Sequence, residues 1–184
     1  MILGLDVSTS CTGICVISST GEVVSMDWVS LAKEKNLVSK AEVLRKTLES
    51  IRDTHEITSI FIEEPMQRFS AGASSAQTIT RLASFNGITQ YLCFVIFELY
   101  PELLNVNNAR KLLGIKTISR KKSGKSVKEQ VFDWVTENLD KKWPTKILTS
   151  GPRKGMEVVI DESLDMADAY VIAKSGFVKL NNPI

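Results

Sequence analysis

The chain has 184 residues, 43% of them hydrophobic and 24% charged, with a formal net charge of +2. That balance excludes a disordered or fibrous chain, predicts one globular domain over 1–184, and leaves net charge silent about partners. Three cysteines without disulfide-scaffold or zinc spacing (Cys11, Cys15, Cys93) and a single histidine, His55, argue against a disulfide framework and a zinc site.

The predicted elements begin with a meander. Residues 2–8 read as a first strand, 13–18 as a second and 22–31 as a third, with hairpin-turn chemistry in Ser19-Thr20-Gly21. A helix follows, with Leu37, Ala41, Leu44, Leu48 and Ile51 at a spacing near one helical turn. Residues 59–63 (SIFIE) form a β-rich run stopped by Pro65. The small, polar segment 66–75 reads as a loop, and a long helix is expected over 76–100. Residues 103–106 read as a strand, 108–113 as a short helix ended by Gly114, and 115–125 as a mobile basic loop. Ser126 with Glu129 three residues on has the spacing of a capping box, so a helix starts there. A second basic loop spans 141–156, and a last helix is expected over 161–176. No apolar stretch reaches membrane-spanning length; YLCFVIF at 91–97 is too short. The start of the chain lacks a charged segment followed by a long apolar run. A soluble, cytoplasmic protein is the expectation.

Three strands in a meander, then strands alternating with helices, imply an α/β fold with a mixed five-stranded sheet flanked by helices. Helical crossovers should make the first, fourth and fifth strands parallel neighbours. Sites in open α/β sheets lie at the carboxyl ends of such strands. Two acids stand there, Asp6 and Glu63. Side chains alternate along a strand, so Asp6 shares a face with Gly4 and Ser8, away from Leu3 and Leu5. Glu63 shares a face with Phe61, whereas Glu64 points the other way. On the last helix Asp165 and Asp168 are three apart and share a face. Asp161 and Glu162 answer the helix dipole at its start, with Asp161 a cap or an outer partner of the acids that follow.

Carboxylates inside apolar sequence need a partner or a metal, and a set of hard oxygen ligands suits Mg²⁺ or Mn²⁺. Phosphodiester hydrolysis needs an activated water, a stabilised leaving oxygen and a neutralised phosphate; two metal ions about 4 Å apart supply all three. The expectation is therefore two ions per site, with Asp6 bridging them, Glu63 completing one, and Asp165 and Asp168 holding the other. His55 has no nucleophile arrangement around it and reads as a solvated or capping residue at a helix end.

Basic residues supply the anion's counterpart. Arg110, Lys111, Lys116, Arg120, Lys121, Lys122, Lys125 and Lys128 lie in an acid-free stretch, and Lys141, Lys142, Lys146, Arg153 and Lys154 in a second cluster. Clustered Lys and Arg on a nearly neutral domain mark phosphate-backbone binding as readily as a solvated surface. Phe69, beside Arg68 in the loop after Glu63, either packs or wedges against bases.

The segments GLDVSTSCTG, FIEEP, KSVKEQV and DMADAYVIA, in this order from residue 2 to 176, resemble the RuvC-type Holliday junction resolvases of the RNase H-like nuclease superfamily. By position, the resemblance implies metal ligands at Asp6, Glu63, Asp165 and Asp168, and a lysine near the scissile phosphate at Lys128, with Lys125 the second candidate. Apart from the resemblance, the basic clusters and the loop after Glu63 make Arg68, Phe69, Arg120, Lys121, Lys122, Lys125, Arg153 and Lys154 the candidate DNA contacts, and Phe69 stands farther from Glu63 than the family's aromatic residue usually does. The resemblance also implies a homodimeric, Mg²⁺- or Mn²⁺-dependent endonuclease that nicks two opposed strands of a four-way junction. The basic stretch 141–156 is longer than in typical bacterial members, and the compact size and divergent loops look more like phage-encoded ones. Within the same superfamily, a broader branched or flap endonuclease is the alternative. An actin-like ATPase or sugar-kinase half is a distant one, since GLDVSTSCTG resembles a phosphate loop but no second copy occurs.

Overall fold

A computed structural model describes residues 1–65 and 75–182. Strands β1 (Ile2–Val7), β2 (Cys11–Ile17), β3 (Val23–Ser30), β4 (Ser59–Glu63) and β5 (Glu102–Leu104) form one sheet in the order β3-β2-β1-β4-β5. β1 pairs antiparallel with β2 and parallel with β4, and β4 pairs parallel with β5. The expected mixed sheet, with the first, fourth and fifth strands parallel, is the observed one. Gly21, at a φ of +83°, makes the β2–β3 turn, and the Ser18 hydroxyl accepts the Glu22 amide at 3.1 Å.

The two faces of the sheet bury different residues, as strand alternation requires. Leu3, Leu5, Ile14, Val16, Ile60 and Ile62 pack with α1 (Leu37–Thr54) and α2 (Ala76–Phe97) through Leu44, Leu48, Phe85, Cys93 and Ile96. Ile2, Cys15, Ile17 and Phe61 pack on the other side with α5 (Val127–Asn138) and α6 (Glu162–Asn181). The α6 face is the one that carries Asp6 and Glu63. A Cβ on Gly4 would lie 2.5 Å from the Ala173 nitrogen, and one on Gly13 would lie 2.0 Å from the Asp165 carbonyl oxygen. These two glycines let the α6 backbone rest directly on β1 and β2.

Four local expectations change. Val106 opens a helix, α3 (Val106–Leu112), because the Asn105 side chain accepts the amides of Asn107 and Asn108 and so stops β5 at Leu104. The expected basic loop carries a one-turn helix, α4 (Arg120–Ser123), and Gln130 of α5 clasps it by bonding both the amide and the carbonyl of Ile118 at 2.9 Å. The second basic loop contains a hairpin of β6 (Thr145–Ile147) and β7 (Glu157–Val159). Asp161 precedes α6 in a helical conformation and makes no side-chain cap bond; it pairs with Lys146 instead, at 3.0 Å. The capping box on α5 is present in both directions, Glu129 amide to Ser126 and Ser126 amide to Glu129. Among the described residues no helix is long and apolar enough to cross a membrane.

Candidate active site

The acids meet where the sheet's two central parallel strands end. β1 delivers Asp6 just before a tight turn, which the Ser8 hydroxyl closes by accepting the Cys11 amide and donating to the Cys11 carbonyl. β4 delivers Glu63, whose carbonyl accepts from the Asn86 side chain of α2 at 2.9 Å. α6 brings Asp165 and Asp168 from its first turns onto the same sheet face.

Lys128, in the first turn of α5, lies among these acids. Its ammonium stands 2.7 Å from Asp165 Oδ1, 3.2 Å from Asp6 Oδ2 and 3.3 Å from Asp168 Oδ2. Lys125, the second candidate, is turned away and pairs with Asp133 at 2.6 Å. Arg110 on α3 approaches from the other side, with Nη2 3.5 Å from Asp168 Oδ1. In the sequence Arg110 is one member of a basic stretch, next to Lys111 on the same short helix, and no local signal separates the two.

The electrostatics are those of crowded carboxylates out of water. Burial pushes Asp6 up to about 7, against the pull of Lys128, and the neighbouring Glu63 and Asp165 add to the rise. Burial pushes Asp168 to about 6, with Asp6 adding to the rise and Lys128 and Arg110 opposing it. Burial also raises Glu63. The same acids hold the Lys128 ammonium firmly charged, outweighing its own desolvation. Burial, with Asp165 next to it, keeps the Cys11 thiol protonated.

The donor set is all carboxylate oxygen, the chemistry of a hard divalent cation. Asp168 Oδ1 is buried and accepts no hydrogen bond; Arg110 faces it at 3.5 Å without one, so the oxygen keeps lone pairs that a closer cation could take. In kind, the residues fit Mg²⁺ or Mn²⁺. Among the described residues, however, no three such side chains stand ready-placed to hold an ion. Lys128 takes up the space where they converge, and an ion would enter only as its ammonium withdraws.

The other expected contact residues are dispersed. Arg120, Lys121 and Lys122 are exposed on α4, and Arg153 and Lys154 are exposed between β6 and β7. Arg68 and Phe69 lie outside the described residues.

No protein-family model matches the chain, and no curated protein matches it in sequence. Solved structures do. RuvC of T. thermophilus in complex with Holliday junction substrate matches with a TM-score of 0.65 at 12% identity, over 98% of this chain and 94% of that one. A second Thermus thermophilus RuvC structure matches with a TM-score of 0.62 at 14% identity, over 98% and 95%. The yeast mitochondrial Holliday junction resolvase matches with a TM-score of 0.56 at 18% identity, over 96% of this chain and 77% of that one. Strand order, helix placement and near-complete coverage together show that this chain has the RNase H-like fold seen in these RuvC structures.

Proposed function

We propose that the chain is a single RNase H-like nuclease domain that resolves four-way DNA junctions by metal-dependent phosphodiester hydrolysis. One observation carries the reading: Asp6, Glu63, Asp165 and Asp168 gather with Lys128 at the carboxyl ends of β1 and β4, on a fold shared with junction resolvases. Divalent ions bound there would activate the attacking water and stabilise the leaving 3′ oxygen.

The protein's own residues have separable roles in that chemistry. Asp6 and Glu63, on neighbouring strands of a rigid sheet, hold their carboxylates at fixed positions. Asp165 and Asp168 complete the ligand set from α6. Lys128 is half-exposed and reaches the acids on a flexible stem, so it can leave them for a phosphate oxygen of the substrate. Arg110 stays behind Asp168 and keeps its charge compensated when Lys128 moves. Exposed Arg120, Lys121 and Lys122, together with Lys125, Arg153 and Lys154, attract the backbone of branched DNA. Arg68 and Phe69 follow Glu63 closely in sequence and are assigned to the same DNA surface. Paired nicks in opposed strands require two sites related by a two-fold axis, hence a homodimer. A cytoplasmic location, where DNA junctions arise, goes with this activity.

The test is cleavage of labelled four-way, Y-shaped and linear DNA with Mg²⁺ or Mn²⁺. The four-way junction should be cut in preference and in pairs. Asp6→Asn should lower the rate by more than ~100-fold, beyond the loss of an outer partner of a metal ligand, with junction binding retained. Wild-type rates in Asp6→Asn would remove the metal site, and equal cutting of all three substrates would leave a nuclease without junction selectivity.

A further inference from the structure

The β6–β7 hairpin is unlike the rest of the molecule. Thr145, Lys146, Ile147, Glu157 and Val159 are exposed and Val158 is half-buried, so the ribbon presents side chains to solvent on both faces. An isolated two-stranded ribbon is marginal in water, and this one leaves Ile147 68% and Met156 54% exposed. Its tip, from Thr149 to Gly155, reads TSGPRKG and is exposed throughout. Gly151 and Gly155, at φ of +77° and +87°, turn the chain there and lift Pro152, Arg153 and Lys154 to the end. Among the described residues Arg153 and Lys154 make no ion pair, whereas at the base Lys146 is tied to Asp161 at 3.0 Å. Asp161 lies one helical turn before Asp165. β7 ends at Val159 and α6 begins at Glu162, so the base of the ribbon stands at the rim of the acid cluster while its charged end is free.

The DNA major groove admits a two-stranded ribbon, and β-ribbons are also used against the minor groove. Proline or another apolar residue at the end of a basic arm can enter between base steps of the minor groove and bend the duplex. Resting on the nuclease reading above, we infer that the β6–β7 ribbon is a DNA-bending arm. It grips the duplex beside the scissile phosphate, with Arg153 and Lys154 on the backbone and Pro152 as the wedge. Duplex DNA is the occupant that the tip's unpaired positive charge selects.

Two variants test it. In one, residues 148–156 are replaced by Asn-Gly, which closes Ile147 onto Glu157 with a two-residue hairpin turn. In the other, Arg153→Gln and Lys154→Gln leave the backbone intact. Binding to a four-way junction in Ca²⁺ is followed as a function of salt, and the angle between labelled duplex arms by energy transfer. Both variants should bind at least ~10-fold more weakly near physiological salt, with the salt slope reduced by about 2, one for each lost phosphate contact. Pro152→Ser should keep the slope and lose the added bend. Unchanged affinity, slope and arm angle in folded variants overturn the arm while leaving the nuclease reading in place. A wild-type protein that binds no DNA overturns both.

Discussion

Asp6 and Lys128 define the energetics of the site. With Asp6 raised to about 7 and Asp168 to about 6, the folded protein holds protons that the unfolded chain has already lost near 4. Both pKa values are raised, so the stability they contribute is present at low pH and is lost as pH climbs through the folded values. Lys128 stays charged throughout, since its own pKa moves up. The metal-free protein in EDTA should therefore melt at a lower temperature at about pH 8 than at about pH 5. That difference should shrink in Asp6→Asn, where position 6 no longer develops a buried charge and only Asp168 and Glu63 still do. A wild-type Tm that rises over this range, or an Asp6→Asn profile identical to wild type, contradicts the account. Lys128→Met probes the same balance from the cationic side. It strips the acids of their nearest counter-charge, at a cost of about 1–2 kcal/mol near pH 8 once the exposure of the ammonium is discounted. It also opens the space that a divalent ion needs. Mn²⁺ titration of the DNA-free variant should show tighter binding than wild type even as junction cleavage falls. Weaker Mn²⁺ binding would mean that Lys128 does not compete for the acids.

Among the elements, α6 decides whether the site exists, because its backbone must touch the sheet for Asp165 and Asp168 to reach Asp6. Gly13 permits that contact. Gly13→Ala would drive a methyl group into the Asp165 carbonyl. We expect a loss of about 1–3 kcal/mol in urea unfolding, typical of overpacking, and a loss of cleavage larger than the stability change explains. Full activity in Gly13→Ala would show that α6 can tilt without moving its acids. Strand alternation in the sequence was enough to choose Glu63 over Glu64 and to place Asp6 opposite Leu3 and Leu5. The α5 start was readable from Ser126 and Glu129 alone. Elsewhere the decisive partner was distant. Asp161 has the local signature of a cap, yet its partner is Lys146 across the hairpin. The β6–β7 strands leave no mark in the sequence because nearly every residue in them is exposed, so no buried face imposes a period-two pattern. Val106 favours a strand by its side chain, and Asn105 overrides it by capping a helix. The approach of Lys128 to Asp6, 122 residues apart, was accessible only through the resemblance, since nothing in local spacing encodes it.

At the scale of the whole molecule, two-fold pairing needs a surface, and α2 offers one. Its buried stripe (Phe85, Asn86, Thr89, Cys93 and Ile96) faces the sheet and α1. The opposite side leaves Tyr91 66% and Val95 54% exposed, four residues apart and hence on one face. Phe94 and Tyr100 stack beside them with ring centroids 4.6 Å apart, and Tyr100 is 83% exposed. Adjacent exposed aromatic and aliphatic side chains of this kind mark interaction sites. A second copy is the partner that symmetric cleavage calls for. The helix has 22 residues, about 33 Å of length, so crossing its own symmetry mate could bury the ~800 Å² per partner of an ordinary stable interface. Tyr91→Asp with Val95→Asp should give a monomer by sedimentation that still unfolds cooperatively, with the Tm lowered by no more than the loss of the dimer accounts for, because neither side chain lies in the core. Each monomer keeps an intact acid cluster, so it should still nick a junction while losing the near-simultaneous second cut. A supercoiled cruciform plasmid reports the difference directly: paired cuts within one binding event yield linear product, and uncoupled nicks yield open circles. Linear product from a protein that sediments as a monomer would separate paired cleavage from this surface of α2.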